Sequence, residues 1–385
     1  MEHSTYAFQS TFLGANPSRL PSLSPLKHCK SSFRPIWRRN RFPQCSMRPY
    51  LEKLVKLENL TLDDARTATD YAVSGDAHDA EIAAFLSLLS AKGETVAEVS
   101  GIVASMQHHM VQVQENHDVL DIVGTGGDGA NTVNISTASS IVAAAAGCRV
   151  AKHGNRSVSS KSGSADVLEE LGVQLLLSPK GVLNCVDEAG IGFMFAPNFH
   201  PAMKIVGPVR KAMKIRTVFN VIGPLLNPCL AKCAVIGVYE LNLLDLMAEV
   251  LISTGVKRAV VVHTEGLDEY SNTGVSQVIE VKGGQKERYA FDPKAELGMP
   301  KAEISDLRGG DARYNADIIR RVLSGELEGP ITNAIALNAG VGCYVYGVAD
   351  SVKEGVDLAK GVLKTGKPLH TLETWAAVSQ LSKDM

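Results

Sequence analysis

Residues 119–154 read VLDIVGTGGDGANTVNISTASSIVAAAAGCRVAKHG, and this stretch decides the fold. A short apolar run is followed by a glycine-rich turn, an apolar helical run closing at Gly147, and a second short run, CRVAKHG. Strand, loop, helix and strand in that order form the unit from which parallel sheets are built. Gly124, Gly126 and Gly129 also satisfy G-x-G-x-x-G, the spacing of a dinucleotide-binding turn. That reading needs an acid about 20 residues further on to hold the ribose hydroxyls. No Asp or Glu occurs between Asp128 and Asp166, and the second strand ends in Lys152-His153-Gly154-Asn155-Arg156. The dinucleotide reading therefore fails on electrostatics, although its spacing is met. A Walker loop fails too, because no Gly-Lys-Ser/Thr closes the motif. What remains is a loop of backbone N–H groups and a hydroxyl-bearing helix start (Ser136, Thr137), facing Lys152, Arg156 and Lys161. Backbone donors and the helix dipole bind phosphate at such a start. Two anion-holding segments imply a ligand with more than one phosphate group.

The rest of the chain extends the pattern on both sides. Residues 50–118 read as helical throughout, with apolar spacing near three to four, Thr61 and Thr95 as N-caps and Gly75 and Gly93 as C-caps. After residue 154 come a helix (ADVLEELG), a strand (VQLLL), a helix opening at Ser178-Pro179, and a strand (IGFMFAP). Residues from His200 to Leu226 read as helical and interrupt the alternation. AKCAVIGVYE, LLDLMAEVLISTG and KRAVVVHTEG then restore strand, helix, strand. QVIEVKGG and QKERYAFDP look like an antiparallel extension, and Ala312 to Ser382 is mostly helical. The expected fold is α/β: a small all-helical domain plus a larger domain with a mainly parallel central sheet.

Just past the strand VVVHT lie Asp268 and Glu269, on the side where open α/β sheets bind ligands. Adjacent carboxylates beside a polyphosphate site suit magnesium, which keeps waters and bridges carboxylate to phosphate oxygens.

Composition sets the outer limits. The chain has 385 residues, 45% of them hydrophobic, enough for one large domain or two ordinary ones. Residues 1–48 hold eight of the 39 Lys and Arg and one of the 41 acids, so the remainder sets 31 basic residues against 40 acidic, a formal charge of −9. An acidic body does not suit general nucleic-acid binding, and no apolar run is long enough to span a membrane. The first 49 residues are Arg-rich, Ser-rich and acid-poor, the make-up of a disordered organelle transit peptide. The competing reading is a basic arm for nucleic acid, but its RRNR cluster is short and lacks interleaved aromatics. Of the seven cysteines only Cys229 and Cys233 lie close together, without a second pair or nearby histidines, which argues for free thiols over zinc.

GTGGD, NIST, KHGNRSVSSKSGSADVLE, FAPNFHPAMK, RTVFNVIGPLLNP and GLDE, in this order, resemble anthranilate phosphoribosyltransferase. The resemblance runs from about residue 50 to near the C-terminus; the leader falls outside it and fits a plant-type plastid precursor, delivered to the chloroplast stroma. It implies transfer of phosphoribose from 5-phosphoribosyl-1-diphosphate (PRPP) to the amine of anthranilate, with Mg²⁺ as cofactor, in a homodimer. It also implies that residues 200–226 join the helices of 50–118, leaving 119–199 and 227–385 as the α/β domain, nucleoside phosphorylase-like in form. Carried over residue by residue, PRPP falls to Gly124, Thr125, Gly127, Asp128, Thr132, Asn134, Ser136, Thr137, Lys152, His153, Gly154, Asn155, Ser160 and Ser164. Anthranilate falls to Asn155, His200 and Arg210, the last by charge-assisted bonds to its carboxylate. The metal falls to Ser136, Asp268 and Glu269. On residues alone, Arg210 reads first as an ordinary exposed helix charge, and His153 reads also as a satisfied interior histidine. A pyrimidine-nucleoside phosphorylase shares the glycine loop and the KHG turn, whereas GLDE and PNFHPAMK favour the transferase. A PRPP-binding sensor would have lost the metal acids or Arg210, which are all present.

Overall fold

The computed structural model describes residues 46–157 and 161–385. Almost all of the basic leader and Ser160 lie outside the described residues.

Among these residues the sheet has seven strands: β1 (Leu120–Gly124), β2 (Val150–Gly154), β3 (Ile191–Phe195), β4 (Cys233–Gly237), β5 (Arg258–Thr264), β6 (Ser276–Lys282) and β7 (Gln285–Phe291). Their spatial order is β3-β2-β1-β4-β5-β6-β7, parallel through β5 and antiparallel for the last two. The strand order reverses between β1 and β4, and at that point the crevice beyond the strand ends is the natural ligand site of an open α/β sheet. β1 and β4 pair residue for residue, from Leu120 opposite Cys233 to Gly124 opposite Gly237.

The two faces of the sheet feed two cores, and the alternation of a strand's side chains divides them. Cys233, Val235, Val260 and Val262 pack under the helices Ile135–Ala145 and Pro330–Tyr346. Ala234, Ile236, Ala259 and Val261 face the helix Leu243–Ser253 and the N-terminal bundle. That bundle consists of Arg48–Val55, Leu62–Ser74, Asp79–Lys92 and Val96–His108. Thr61 and Thr95 cap two of its helices through capping boxes, and Gly75 ends one at φ 87°. Glu98 is its hub. Its carboxylate accepts from Leu60 N, Thr95 N and Lys92 Nζ at 2.8–2.9 Å, bonds that outweigh burial and hold it below the usual carboxylate range. Val206, Val209, Val218, Ile222 and Leu225 pack into the same core, so the segment that breaks the strand–helix alternation is part of the bundle's interior.

Two elements differ from the sequence reading. VQLLL is not a strand. Val173, Leu175 and Leu177 are buried while Leu176 is 62% exposed, so the segment is strand-like in pattern. Its amides, however, bond to side chains, Gln174 N to Ser379 Oγ and Leu176 N to Gln174 Oε1, and it joins no ladder. The end of the 200–226 segment forms two 3₁₀ turns, Val218–Asn220 and Gly223–Leu225, because Gly223 and Pro224 break regular helix there.

The helices Pro330–Tyr346 and Val352–Lys364 cross where Gly340 meets Gly355, and a Cβ on either would run into the other's backbone. Alanine in a helix gains about 1 kcal/mol over glycine in propensity, but overpacking costs about 1–3 kcal/mol. Gly355→Ala should therefore lower the unfolding free energy, whereas Gly361→Ala in the same helix, with open space at its Cβ, should raise it. Denaturant titration of the two variants checks the opposite signs.

Candidate active site

The strand ends at the switch point carry the glycine loop. Gly126, Gly127 and Gly129 sit at φ 71°, 87° and 73°, conformations that glycine adopts without a Cβ penalty. Thr125 N donates to Gly237 O at 2.9 Å, and Tyr239 N donates to Thr125 Oγ1 at 3.2 Å, so the loop's first residue is tied to β4. Its far end is tied by Gly309 N to Asn131 O at 2.8 Å and Val133 N to Leu307 O at 2.9 Å, with Thr132 bridged to Arg308 between them.

Over this loop lies the turn after β5. A Cβ on Gly124 would strike the Asp268 carboxylate, and one on Gly237 would strike the Asp268 main chain. The missing side chains of two paired residues thus create the seat of the acidic turn. Asp268 Oδ2 accepts from Gly126 N at 2.6 Å, and Glu269 accepts from the Ser136 amide at the start of helix Ile135–Ala145. The two carboxylates occupy the donors that the glycine loop and the helix terminus offer to an anion. Asp128 also faces them, while its Oδ1 accepts from Ala130 N at 3.1 Å. Burial and then repulsion from Glu269 push Asp268 well above the usual carboxylate range, and Glu269, half-buried beside Asp128, is pushed up to about 8 by loss of hydration despite the nearby Lys152.

Lys152, 1% exposed, projects from β2 beneath this cluster. Its Nζ donates to Ile122 O at 2.6 Å and to Ser136 Oγ at 3.4 Å. Burial draws its pKa down, against the pull of Asp121 and Glu269. Behind it Asp121 accepts from Asn227 Nδ2 at 2.7 Å, and burial pushes it up to about 6.

His153 and His200 form a second cluster. Their Nε2 atoms are 3.1 Å apart and both side chains are buried. Only one Nε2 can carry a proton at that separation, so the neutral rings adopt complementary tautomers. Burial, and for His153 the neighbouring His200, draws their pKa values to about 3 and about 4.

The remaining expected residues divide between open and internally satisfied positions. Thr137 Oγ1 donates to Ser164 Oγ at 3.0 Å, joining the helix start to the next helix. Asn134 uses both ends of its amide inside the protein, donating to Ser162 O and accepting from Asn315 Nδ2. Asn155, exposed, accepts from Arg156 N through Oδ1. A Cβ on Gly154 would strike the Phe193 ring, so this glycine lets β2 pack close. Arg210, half-buried with an unpartnered Nε, lies over Phe219 at 5.3 Å and is not grouped with the histidines by any direct bond. The sequence reading missed Arg216, Asp121 and Asn227. Arg216 lay inside the quoted RTVFN block, six residues after Arg210, and only its contacts single it out.

No group of three or more His, Cys, Asp or Glu side chains among the described residues is placed to hold a metal alone. Hard oxygen donors pressed together under burial nonetheless suit a small divalent cation, and Mg²⁺ bound by two carboxylates takes its other ligands from water and substrate phosphate.

Sheet order, helical bundle and phosphate-type loop together define a glycosyl transferase of two-part construction. Family models described as "Glycosyl transferase family, helical bundle domain" and "Glycosyl transferase family, a/b domain" match residues 48–110 and 116–369. The chain belongs to the anthranilate phosphoribosyltransferase family. The enzyme of Chlamydia felis is 43% identical over 339 residues, 88% of this chain and 98% of the relative, and that of Methanocorpusculum labreanum is 46% identical over 331 residues, 86% and 97%. The crystal structure of anthranilate phosphoribosyltransferase (TrpD) from Thermus thermophilus matches with TM-score 0.82 at 42% identity, over 86% of this chain and 99% of that one. The Saccharomyces cerevisiae enzyme in complex with PRPP and Mg matches with TM-score 0.80 at 27% identity, over 88% and 99%.

The histidine pair gives a pH signature. Unfolded histidine takes up a proton near pH 6.5, whereas the folded pair refuses it until about pH 3–4. Stability due to the pair is thus complete above pH 6.5 and falls as pH drops toward 4. The Tm of His200→Gln should fall less steeply than that of the unaltered chain across this window, as measured by circular dichroism melts.

Proposed function

We propose that this chain transfers the phosphoribosyl group of PRPP to the amine of anthranilate, giving N-(5-phosphoribosyl)anthranilate and pyrophosphate, a step of tryptophan biosynthesis. The observation that carries the reading is the meeting of a glycine loop, a helix N-terminus, one buried lysine, the buried Asp268 and the half-buried Glu269 at the switch point of the sheet. Asp268, Glu269 and Ser136 Oγ would hold Mg²⁺, which when bound supplies positive charge against the departing pyrophosphate. The protein's own share is preorganised. Loop amides and the helix terminus face the charge that develops on the leaving oxygens, and Lys152 adds a fixed cation. Asp268 Oδ2 and Glu269 accept from Gly126 N and Ser136 N, donors that phosphate oxygens would use if the carboxylates turned to the cation. Arg210, with its free Nε, would clamp the anthranilate carboxylate. His153 and His200, neutral at physiological pH, would line its path without acting as a strong base. An aromatic amine positioned at C1 needs none, because holding two reactants in line supplies much of the rate.

The leader's composition supports delivery to the chloroplast stroma, and the family resemblance supports a homodimer. Residues 1–49 fused to a fluorescent reporter should be imported by isolated chloroplasts and shortened on entry; a reporter left outside would refute the assignment.

Loss of anthranilate fluorescence measures the reaction, and it should require both PRPP and Mg²⁺. Lys152→Ala and the double variant Asp268→Ala/Glu269→Ala should each lower kcat/KM for PRPP by about 100-fold or more, the size seen when one preorganised charge contact is lost. The double acid variant should not lower Tm greatly, since the acids repel one another in the folded chain, whereas Lys152→Ala strips Ile122 O of its donor and should lower Tm, so its kinetics are read well below its melting point. Near-normal PRPP kinetics in both would refute the site.

A further inference from the structure

Arg216 follows the bundle's returning helix, Met203–Met213, and contacts three separate parts of the molecule. Its Nη2 donates to Gly127 O at 2.8 Å. Its guanidinium stacks on the Tyr239 ring at 4.2 Å, with Nη1 3.8 Å from Glu240, just past the end of β4. Its own carbonyl accepts from Ser90 Oγ at 3.2 Å, on the helix Asp79–Lys92. The backbone of the residue is thus held by the bundle and its side chain by the glycine loop.

The Gly127 carbonyl is a sensitive place for such a contact. Three of the four residues from Gly126 to Gly129 are glycines at positive φ, where peptide units rotate with little steric resistance. A peptide unit is planar and trans, so its C=O and the following N–H point in opposite directions. Fixing Gly127 O on Arg216 therefore fixes Asp128 N–H on the opposite side of that peptide. A released peptide could turn its oxygen where the amide stood, and an acceptor would then meet the phosphates.

We propose that Arg216 is a positioning residue: it latches the 127–128 peptide so that the glycine loop presents an N–H to the diphosphate, and it ties the shape of that loop to the helical bundle through Ser90. The assignment rests on the PRPP reading above. Arginine suits the task because its planar fork can stack on Tyr239 and still donate along its edge, which the point charge of lysine cannot do.

The test combines kinetics with hydrogen exchange on the full chain. Arg216→Ala should lower kcat/KM for PRPP on the order of tenfold to a hundredfold, the scale of one lost charge-assisted hydrogen bond, while KM for anthranilate stays within about twofold. Amide exchange at residues 125–130 should quicken without added substrate, a readout that does not depend on catalysis. Ser90→Ala should shift both readouts the same way by a smaller amount, and the double variant should be no worse than Arg216→Ala. Arg216→Lys should resemble the alanine variant. If lysine restores PRPP kinetics and loop exchange in Arg216→Ala is unchanged, the side chain acts as a simple phosphate-binding charge and the latch is wrong. If only the anthranilate KM moves, it is wrong as well. An unaltered chain that consumes no anthranilate with PRPP and Mg²⁺ would refute the functional reading, whereas the exchange result would still decide the latch.

Discussion

The architecture of the site depends on two glycines side by side. Gly124 and Gly237 end the paired strands β1 and β4, and their bare Cα atoms admit the turn that carries Asp268. With any larger residue at either place the carboxylates would be lifted from the glycine loop, and Gly126 N would lose its partner. Sheet register therefore acts directly on chemistry: the in-step pairing of β1 with β4 brings the two gaps together, and the reversal of strand order opens the crevice above them.

Charge is organised on the same plan. The body of the protein is acidic, yet no Asp or Glu occurs between Glu188 and Glu240, a stretch that contains Arg210 and Arg216. The run from Gly129 to Ala165 is likewise free of acids, and from it Lys152 reaches the carboxylate cluster while Arg156 is paired with Asp166 and Glu169. Asp268 and Glu269 are the exception, and their environment shows the cost. Asp268 is buried and Glu269 half-buried, both are pushed toward the protonated form, and both borrow amide donors suited to an anion. Such strain in a folded site is the mark of groups arranged for a ligand and not for stability alone.

Much of this was legible in the chain. Period changes located the strand–helix units, glycine and threonine located the caps, and the absence of an acid after β2 excluded a dinucleotide. What escaped was whatever depends on tertiary partners. VQLLL has a strand's alternation but finds side-chain donors and acceptors in place of a ladder. Asn134 is tied to Ser162 O and Asn315 Nδ2, partners 28 and 181 residues away that its position before the helix does not announce. Arg216 is indistinguishable from other helix-end arginines until Gly127 is placed opposite it.

The helical bundle draws its interior from two distant segments, residues 48–108 and 203–226. On the ribosome the first four helices emerge well before Val206, Val209 and Ile222, so they stand with an uncovered apolar face while three strands of the sheet are still being made. Translation order and folding order are therefore interleaved: the amino-terminal part waits for the middle of the chain, and a nascent polypeptide halted before residue 200 would hold a sticky, unfinished cluster of the kind that chaperones receive.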